Sequence, residues 1–178
     1  MIYCVELAFS EPRREAEWSA WYSSHLSILL SVPGFSTAQR FESLTSCRAP
    51  YLAAYSVTSG DVFDSAPYRQ RGGRASPGEW APLMINWDRN LFDGLTHMPN
   101  VKPDEVLAVV DNVPHDIANF HLKLHPLICA GLDRTVASRG IAVLTAEAYA
   151  MVAARANEHI RFYKPLTTQL RPQLRAVV

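Results

Sequence analysis

The chain has 178 residues, of which 48% are hydrophobic, and its 17 basic side chains balance 17 acidic ones. This length suits one large domain or two small ones with a substantial core, and the zero net charge argues against nucleic acid as a partner. The sequence has no apolar run of ~20 residues that could span a bilayer. Its first residues, MIYCVELAF, reach Glu6 without the basic region of a signal peptide.

The three cysteines, Cys4, Cys47 and Cys129, lie far apart and form no CxxC pair. This spacing argues against a disulfide framework and against a structural zinc site. We therefore expect a cytoplasmic protein with free thiols, without a metal site and without a membrane partner.

The elements predicted for the first half follow the order β-α-β-β-α-β. They are a strand at residues 2–9, a helix from about 11 to 31 capped by Ser10, strands at 35–44 and 51–59, a short helix at 59–68, a flexible loop at 69–78 and a strand within 83–95. Period-2 alternation indicates the strands, and the Pro33-Gly34 pair ends the first helix. This order is typical of a ferredoxin-like unit.

The second half repeats this order more sparsely, after a polar linker at 96–104. Its predicted elements are a strand at 106–111, at most a short helix at 114–119, an ambiguous segment at 120–130, a turn at 131–134, a strand at 135–144, a helix to about 157 capped by Thr145, and a strand at 159–170. We favour an interrupted or edge strand for 120–130, because Pro126 would fall inside any helix there. The fold class is therefore α+β, with tandem ferredoxin-like units at 1–95 and 105–178.

The stretch from Trp18 to Gly34, WSAWYSSHLSILLSVPG, gives the best indication of a site. At about 100° per residue, its apolar residues share one arc of a helix and its serines share the other. The apolar arc consists of Trp18, Trp21, Tyr22, Leu29 and Val32. His25 lies near the middle of that arc, which sets one imidazole on a buried stripe of aromatic residues.

The sequence WYSSHLSILLSVPGFSTAQRF, followed by PYLAAYSV, resembles the dimeric α+β barrel superfamily, and most closely its EthD-like and antibiotic-biosynthesis-monooxygenase-like members. The matching positions are Tyr22, His25, Pro33, Gly34 and Arg40. The resemblance implies an antiparallel barrel of two ferredoxin-like units with helices outside, usually closed by a homodimer; a tandem repeat could close it within one chain. It also implies small, often aromatic or polyketide-like ligands, and activities that include cofactor-free oxygenation, cyclisation, isomerisation and haem chemistry.

Several interpretations of His25 stay open. A reference pKa near neutrality suits a general acid or base, and an apolar pocket would favour its neutral form. It could also be a polar group of a pocket or a haem ligand. Alternatively, it is a structural imidazole, bonded to a carbonyl or a water, that holds the helix on the sheet.

Arg40 and the aromatic residues supply the other candidates. Arg40 and Glu6 could meet on one face of the sheet as a partly buried ion pair, and Arg40 could then orient an anionic substrate. The alternative is a solvated or interface salt bridge. Hydroxyls of Tyr22, Tyr55 and Tyr68 could enter a pocket whose walls are Trp18 and Trp21, although such a stripe is more often plain core.

Two further patterns carry little functional weight. His121 and His125 lie about 13 Å apart if they are on one strand, too far to share a metal ion, and with His115 they have no acidic ligand nearby. The segment RQRGGR, from Arg69 to Arg74, lacks the lysine and hydroxyl of a phosphate-binding loop. A mobile loop, or a lid over the pocket, is the expected role of that segment.

The leading hypothesis is therefore a homodimeric protein that binds a small organic molecule. It could act as an EthD-like enzyme without a cofactor, with His25 as acid or base and with Tyr22 or Arg40 polarising the substrate. The alternative hypothesis is a non-catalytic binding or assembly module. An open pocket shared by His25, Arg40 and a tyrosine hydroxyl would favour the enzyme, whereas a packed, dry site would favour the module.

Overall fold

Eight strands form one closed antiparallel barrel in the computed structural model. The structure describes residues 1–73, 76–112, 122–157 and 159–173. They are β1 (Ile2–Phe9), β2 (Phe35–Ser43), β3 (Tyr51–Val57), β4 (Met84–Asp93), β5 (Val106–Asp111), β6 (His125–Leu132), β7 (Ser138–Leu144) and β8 (Ile160–Pro165). Around the barrel their order is β1-β3-β2-β8-β5-β7-β6-β4, and every neighbouring pair is antiparallel. The expected α+β barrel is confirmed, and it closes within a single chain.

The helices are α1 (Glu15–Leu30), α2 (Ala66–Arg71) and α3 (Ala146–Val152). The predicted start of α1 is wrong, because residues 12–14 form a separate 3₁₀ turn capped by the Glu11 carboxylate. Ser10 is not the cap of the helix: it lies before this turn, and its hydroxyl donates to the Leu83 carbonyl at 3.1 Å. Thr145 caps α3 as predicted, by accepting from the Ala148 N–H. Within the described ranges, no helix is both long enough and apolar enough to cross a membrane.

β1 separates the two main layers of the core. Tyr3, Val5 and Leu7 point outward and pack beneath α1, whereas Ile2 and Cys4 point into the barrel. This is the alternation expected of a strand that is buried on both faces. The sequence predicted the two sets of residues, and the structure shows which set lies under the helix.

Several boundaries in the rest of the chain differ from the prediction. Residues 69–71 belong to α2 rather than to a loop. β6 covers the first two residues of the turn predicted at 131–134, because Gly131 and Leu132 still pair with β4. The last strand ends at Pro165, although Leu170 rejoins β2 through a bridge to Ala38. The helix predicted at 114–119 and the first two residues of the 120–130 segment lie outside the described residues.

The connection between β4 and β5 closes one end of the barrel. Met98 and Val101 are buried in the interior cluster. The Val101 N–H donates to the Gln39 side-chain oxygen at 3.2 Å, and the Met98 N–H donates to the Ser56 hydroxyl at 2.8 Å. Polar groups of the barrel wall thus hold this plug in place.

Candidate functional site

His25 lies on the buried face of α1, between two aromatic rings. Its exposed fraction is 8%, and its ring stacks on Trp21 with 5.0 Å between centroids and 18° between planes. Tyr22 meets the same ring edge-on, at 6.2 Å. Tyr22 and Trp21 precede His25 by three and four residues, and side chains at this spacing are neighbours on the surface of a helix. Helix α1 itself therefore builds most of this environment.

A small cavity of about 20 Å³ lies between α1 and the outer face of the barrel. Its polar lining comes from His25, Ser76, Tyr3, Tyr22, Tyr55 and Tyr68. Apolar walls are supplied by Trp21, Leu29, Met84 and Trp87, among others. A volume of this size accommodates about one water molecule. In this state the site is therefore nearly filled by its own side chains.

Burial makes His25 a neutral imidazole at physiological pH. Desolvation lowers the pKa of His25 from 6.5 to about 4, because the charged form loses its hydration. The Nε2 atom lies 3.5 Å from the Ser76 hydroxyl oxygen, a long contact, and that hydroxyl donates to the Gly73 carbonyl at 2.9 Å. The ring can therefore accept a proton or a hydrogen bond from a molecule in the cavity.

Three tyrosines of the cavity, Tyr3, Tyr22 and Tyr55, are protonated donors. Burial raises the pKa of Tyr22 to about 12, although the Arg40 guanidinium opposes the rise. The pKa values of Tyr3 and Tyr55 lie well above the ordinary range, first because of burial and then because another tyrosine hydroxyl lies beside each. At neutral pH each phenol keeps its O–H, so it can donate a hydrogen bond to a ligand oxygen.

Arg40 is a buried cation that faces α1. Its exposed fraction is 1%. Its Nη1 donates to the Ser19 carbonyl at 2.7 Å and to the Ser23 hydroxyl at 2.9 Å. The guanidinium carbon lies 4.5 Å from the Tyr22 ring centroid, and Arg40 is not among the described residues that line the cavity. Arg40 thus acts on the site through Tyr22.

The predicted meeting of Arg40 and Glu6 is wrong. Arg40 lies on the outer face of β2, whereas Glu6 points into the barrel from β1 and pairs there with Arg139 and Arg161. β1 and β2 are not neighbours, because β3 lies between them. Alternation assigned each residue to a face of its own strand, but it could not show which faces coincide.

Most of the residues proposed from the sequence do converge. His25, Tyr22, Tyr55, Tyr68 and Trp21 line the same cavity. Trp18 is not among the described residues that line it, because its ring stacks on Phe9 at 4.6 Å in the core.

Sequence reasoning missed Tyr3, Ser76 and Trp87 as lining residues. The alternation of β1 could have indicated Tyr3, because it places this residue on the same face as Val5. Ser76 and Trp87 gave no local signal.

The remaining sequence patterns do not form a site within the described residues. No group of three or more His, Cys, Asp or Glu side chains there is arranged to hold a metal ion. His115, His121 and Arg74 lie outside the described residues. The guanidinium groups of Arg69 and Arg71 both donate to backbone carbonyls of their own chain.

Comparison with known proteins places the fold. No protein-family model and no curated protein matches the sequence. The structure is similar to that of an anthrone oxidase-like protein, with 11% identity and a TM-score of 0.52 over 99% of this chain and 96% of the other. It is also similar to a candidate monooxygenase from Fusobacterium nucleatum subsp. nucleatum ATCC 25586, with 12% identity and a TM-score of 0.54 over 97% and 98% of the two chains. The chain shares their fold. At these identities the likeness concerns architecture alone.

Proposed function

We propose that this protein is an enzyme that oxidises a small aromatic molecule beside α1 without a bound cofactor, with His25 as the proton acceptor. The observation that carries the proposal is a neutral, buried imidazole that shares one aromatic-walled cavity with tyrosine hydroxyls. The names of the two similar structures, an anthrone oxidase-like protein and a candidate monooxygenase, are consistent with this chemistry.

The proposal includes membership of the EthD-like and monooxygenase-like part of the barrel superfamily. Two ferredoxin-like units, at 1–95 and 105–178, account for the strand order. The first four strands lie in the order β4-β1-β3-β2 and the last four in the order β8-β5-β7-β6. If the strands of each unit are counted along the chain, both units have the spatial order fourth, first, third, second. One chain closes the barrel by itself, so a homodimer is not needed for closure. If this protein forms one, it would have a different role.

The reaction that fits these groups begins with proton removal. An aromatic ketone with an acidic CH₂ group in its ring system gives up a proton to His25 and becomes an enolate. The enolate reacts with molecular oxygen, one oxygen atom becomes a new carbonyl group, and the other leaves with the two hydrogens as water. The tyrosine O–H groups stabilise the enolate oxygen, as donors aimed at developing negative charge do in other active sites.

Charge interactions in the site determine which groups can assist proton removal. A histidine with a pKa of about 4 is a weak base in the empty site, but an anion formed ~4–6 Å away raises such a pKa by about 1–3 units. Tyr22 is suited to hydrogen-bond that anion, because Arg40 partly offsets the effect of burial on its phenol. Arg40 is therefore a positioning residue, and it does not itself contact the substrate.

Ligand entry requires side chains to move. The cavity of about 20 Å³ is far smaller than an aromatic molecule. The partly exposed lining residues, Trp21, Ser76 and Trp87, are the ones that can move outward. The aromatic surface that they expose would then pack against the rings of the ligand.

The test is the replacement of His25 by Gln, which keeps a polar side chain but removes the base. With a tricyclic anthrone as probe, we expect oxygen uptake above the spontaneous rate to fall at least 100-fold, the lower range for loss of a general base. His97, which is exposed and bonds to Thr96, is the matched control. The variant His97→Gln keeps wild-type turnover.

Two outcomes would contradict the proposal. One is undiminished oxygen uptake in His25→Gln. The other is a wild-type protein with no uptake above the spontaneous rate, combined with a lowered melting temperature in His25→Gln. The second outcome would make His25 structural, as in a non-catalytic binding or assembly module.

A further inference from the structure

The end of the barrel away from the plug contains a closed ring of four buried charges. Arg139 donates to Glu6 at 2.6 Å and to Asp111 at 2.6 Å, and Arg161 pairs with the same two carboxylates. Glu6 lies on β1 and Asp111 on β5, which stand opposite each other in the eight-strand order. The two arginines therefore bridge the full width of the barrel interior.

A pocket of about 450 Å³ lies at this end. Glu6, Asp111 and Arg161 form part of its wall, and residues 46–49 of the loop between β2 and β3 form another part. Its volume is within the range of small-molecule sites, about 300–1,000 Å³. It shares no lining residue with the cavity at His25. We call this pocket the barrel mouth.

Hydrogen-bond donors without a partner among the described residues lie at the barrel mouth. Arg161 lines it, is about nine-tenths buried, and has an Nε–H without a partner among the described residues. The hydroxyl of Tyr163, which is fully buried, also has no hydrogen-bond partner among the described residues. The Arg161 guanidinium carbon lies 5.9 Å from the centroid of the Tyr163 ring, so Tyr163 belongs to the same cluster of side chains.

Two asparagines at the rim add further donors. Asn112 uses its side-chain oxygen to accept the Ala137 N–H at 3.2 Å. Asn157 uses its side-chain oxygen to accept the Ile160 N–H at 2.9 Å. The nitrogen end of each amide is what these residues can offer to a ligand, and both residues line the pocket.

Formal charges balance at the barrel mouth once Arg139, which lies beneath its wall, is counted with the lining residues. Three acidic residues, Glu6, Asp88 and Asp111, are matched by Arg48, Arg161 and the underlying Arg139. A formally neutral site with unpartnered N–H groups favours a ligand rich in acceptors, and a carboxylate supplies two oxygens that each accept more than one hydrogen bond. We propose that the barrel mouth is a second binding site, for a small organic carboxylate held by Arg161, Asn112 and Asn157.

Cys47 provides a direct readout, because it lines the barrel mouth and is partly exposed. Its alkylation by iodoacetamide is followed by mass spectrometry, with benzoate as the probe. We expect benzoate to slow this alkylation at least fivefold, with saturation. Benzylamine, benzyl alcohol and sodium chloride at equal concentration leave the rate unchanged. The rate at Cys129, which is on β6 and outside this pocket, is the internal control.

The variants Asn112→Asp and Asn157→Asp keep the oxygen that accepts the backbone N–H but replace the NH₂ group by a second oxygen. Each is expected to weaken protection by benzoate about tenfold or more. Asn100→Asp makes the same change at an exposed position in the plug at the other end, and leaves protection intact. An unchanged Cys129 rate shows that each variant keeps its fold.

Three results would overturn the proposal: no protection of Cys47 by benzoate, equal protection by benzylamine, or full protection in both aspartate variants. His25→Gln is expected to bind benzoate like the wild type. Failure at the barrel mouth and failure of the proposed enzyme at α1 are therefore separable.

Discussion

His25 owes its chemistry to where it is buried. No cause other than desolvation contributes to its lowered pKa, and its closest ring contact is with the face of Trp21. In the folded protein the imidazole therefore stays neutral over a pH range in which an unfolded chain takes up a proton. The same property that makes it a candidate base links the stability of the fold to pH.

We expect acid to destabilise the fold through His25. Between pH 6.5 and about 4 the unfolded chain binds a proton that the folded chain excludes, so the free energy of unfolding falls as the pH falls through this window, by up to roughly 3 kcal/mol. His25→Gln removes this dependence, whereas His97→Gln keeps it. Urea unfolding at several pH values in the window measures the effect. Parallel pH profiles for wild type and His25→Gln would contradict it.

At the scale of elements, the end of α1 depends on Gly34. This glycine has φ +100°, a conformation that L side chains rarely adopt, and an added Cβ would lie 2.2 Å from Cγ2 of Val62. The turn thus brings the start of β2 against the segment after β3. The Pro33-Gly34 pair ends the helix, and the glycine also makes room for a tertiary contact.

Gly34→Ala is therefore expected to destabilise the protein through both strain and overlap. Gly78 also has a positive φ, +55°, but an added Cβ there would meet no atom within 4 Å. Gly78→Ala is expected to lower the free energy of unfolding by about 1 kcal/mol, and Gly34→Ala by at least about 2 kcal/mol more. Adding Val62→Ala to Gly34→Ala tests the overlap, since it should recover part of the loss. Equal losses in the two glycine variants would show that the contact with Val62 is unimportant. Denaturant unfolding provides all of these values.

At the scale of the whole molecule, the ring of four charges joins the two halves of the chain. Glu6 comes from the first half, and the other three members of the ring, its partners Arg139 and Arg161 and the second carboxylate Asp111, come from the second. Burial alone would raise the pKa of Glu6, but Arg139 and Arg161 outweigh it and lower that pKa to about 2. The carboxylate therefore stays charged in the interior, and its removal would leave two buried cations short of a partner.

Glu6→Gln is expected to destabilise the fold by about 3–5 kcal/mol, the usual loss when one member of a buried ion pair is removed. The matched control is Glu42→Gln, which breaks the exposed pair with Lys164 and should change stability by less than about 1 kcal/mol. The contribution of Glu6 is present above pH 4.5 and is lost as the pH falls towards 2. Thermal unfolding at pH 7 and pH 3 measures both effects. Similar losses in the two variants at pH 7 would contradict this role for the ring.

The sequence by itself determined the local structure where a short-range signal was sufficient. The alternation in residues 2–9 predicted both faces of β1, the run at 106–111 predicted β5 with its bounds, and Thr145 indicated the start of α3. Helical spacing placed His25 among aromatic residues for the same reason. In each case the atoms that decide the outcome lie within a few residues of one another in the chain.

Hydrogen-bond partners, ion pairs and cavity positions that depend on long-range contacts were decided only by the tertiary structure. Ser10 bonds to Leu83 rather than capping α1, and Glu6 pairs with Arg139 rather than with Arg40. Trp18 stacks within the core, whereas Tyr3 enters the cavity at His25. Periodicity gives the face of each strand, but the order of strands around the barrel determines which faces meet, and that order depends on the free energy of packing the whole chain.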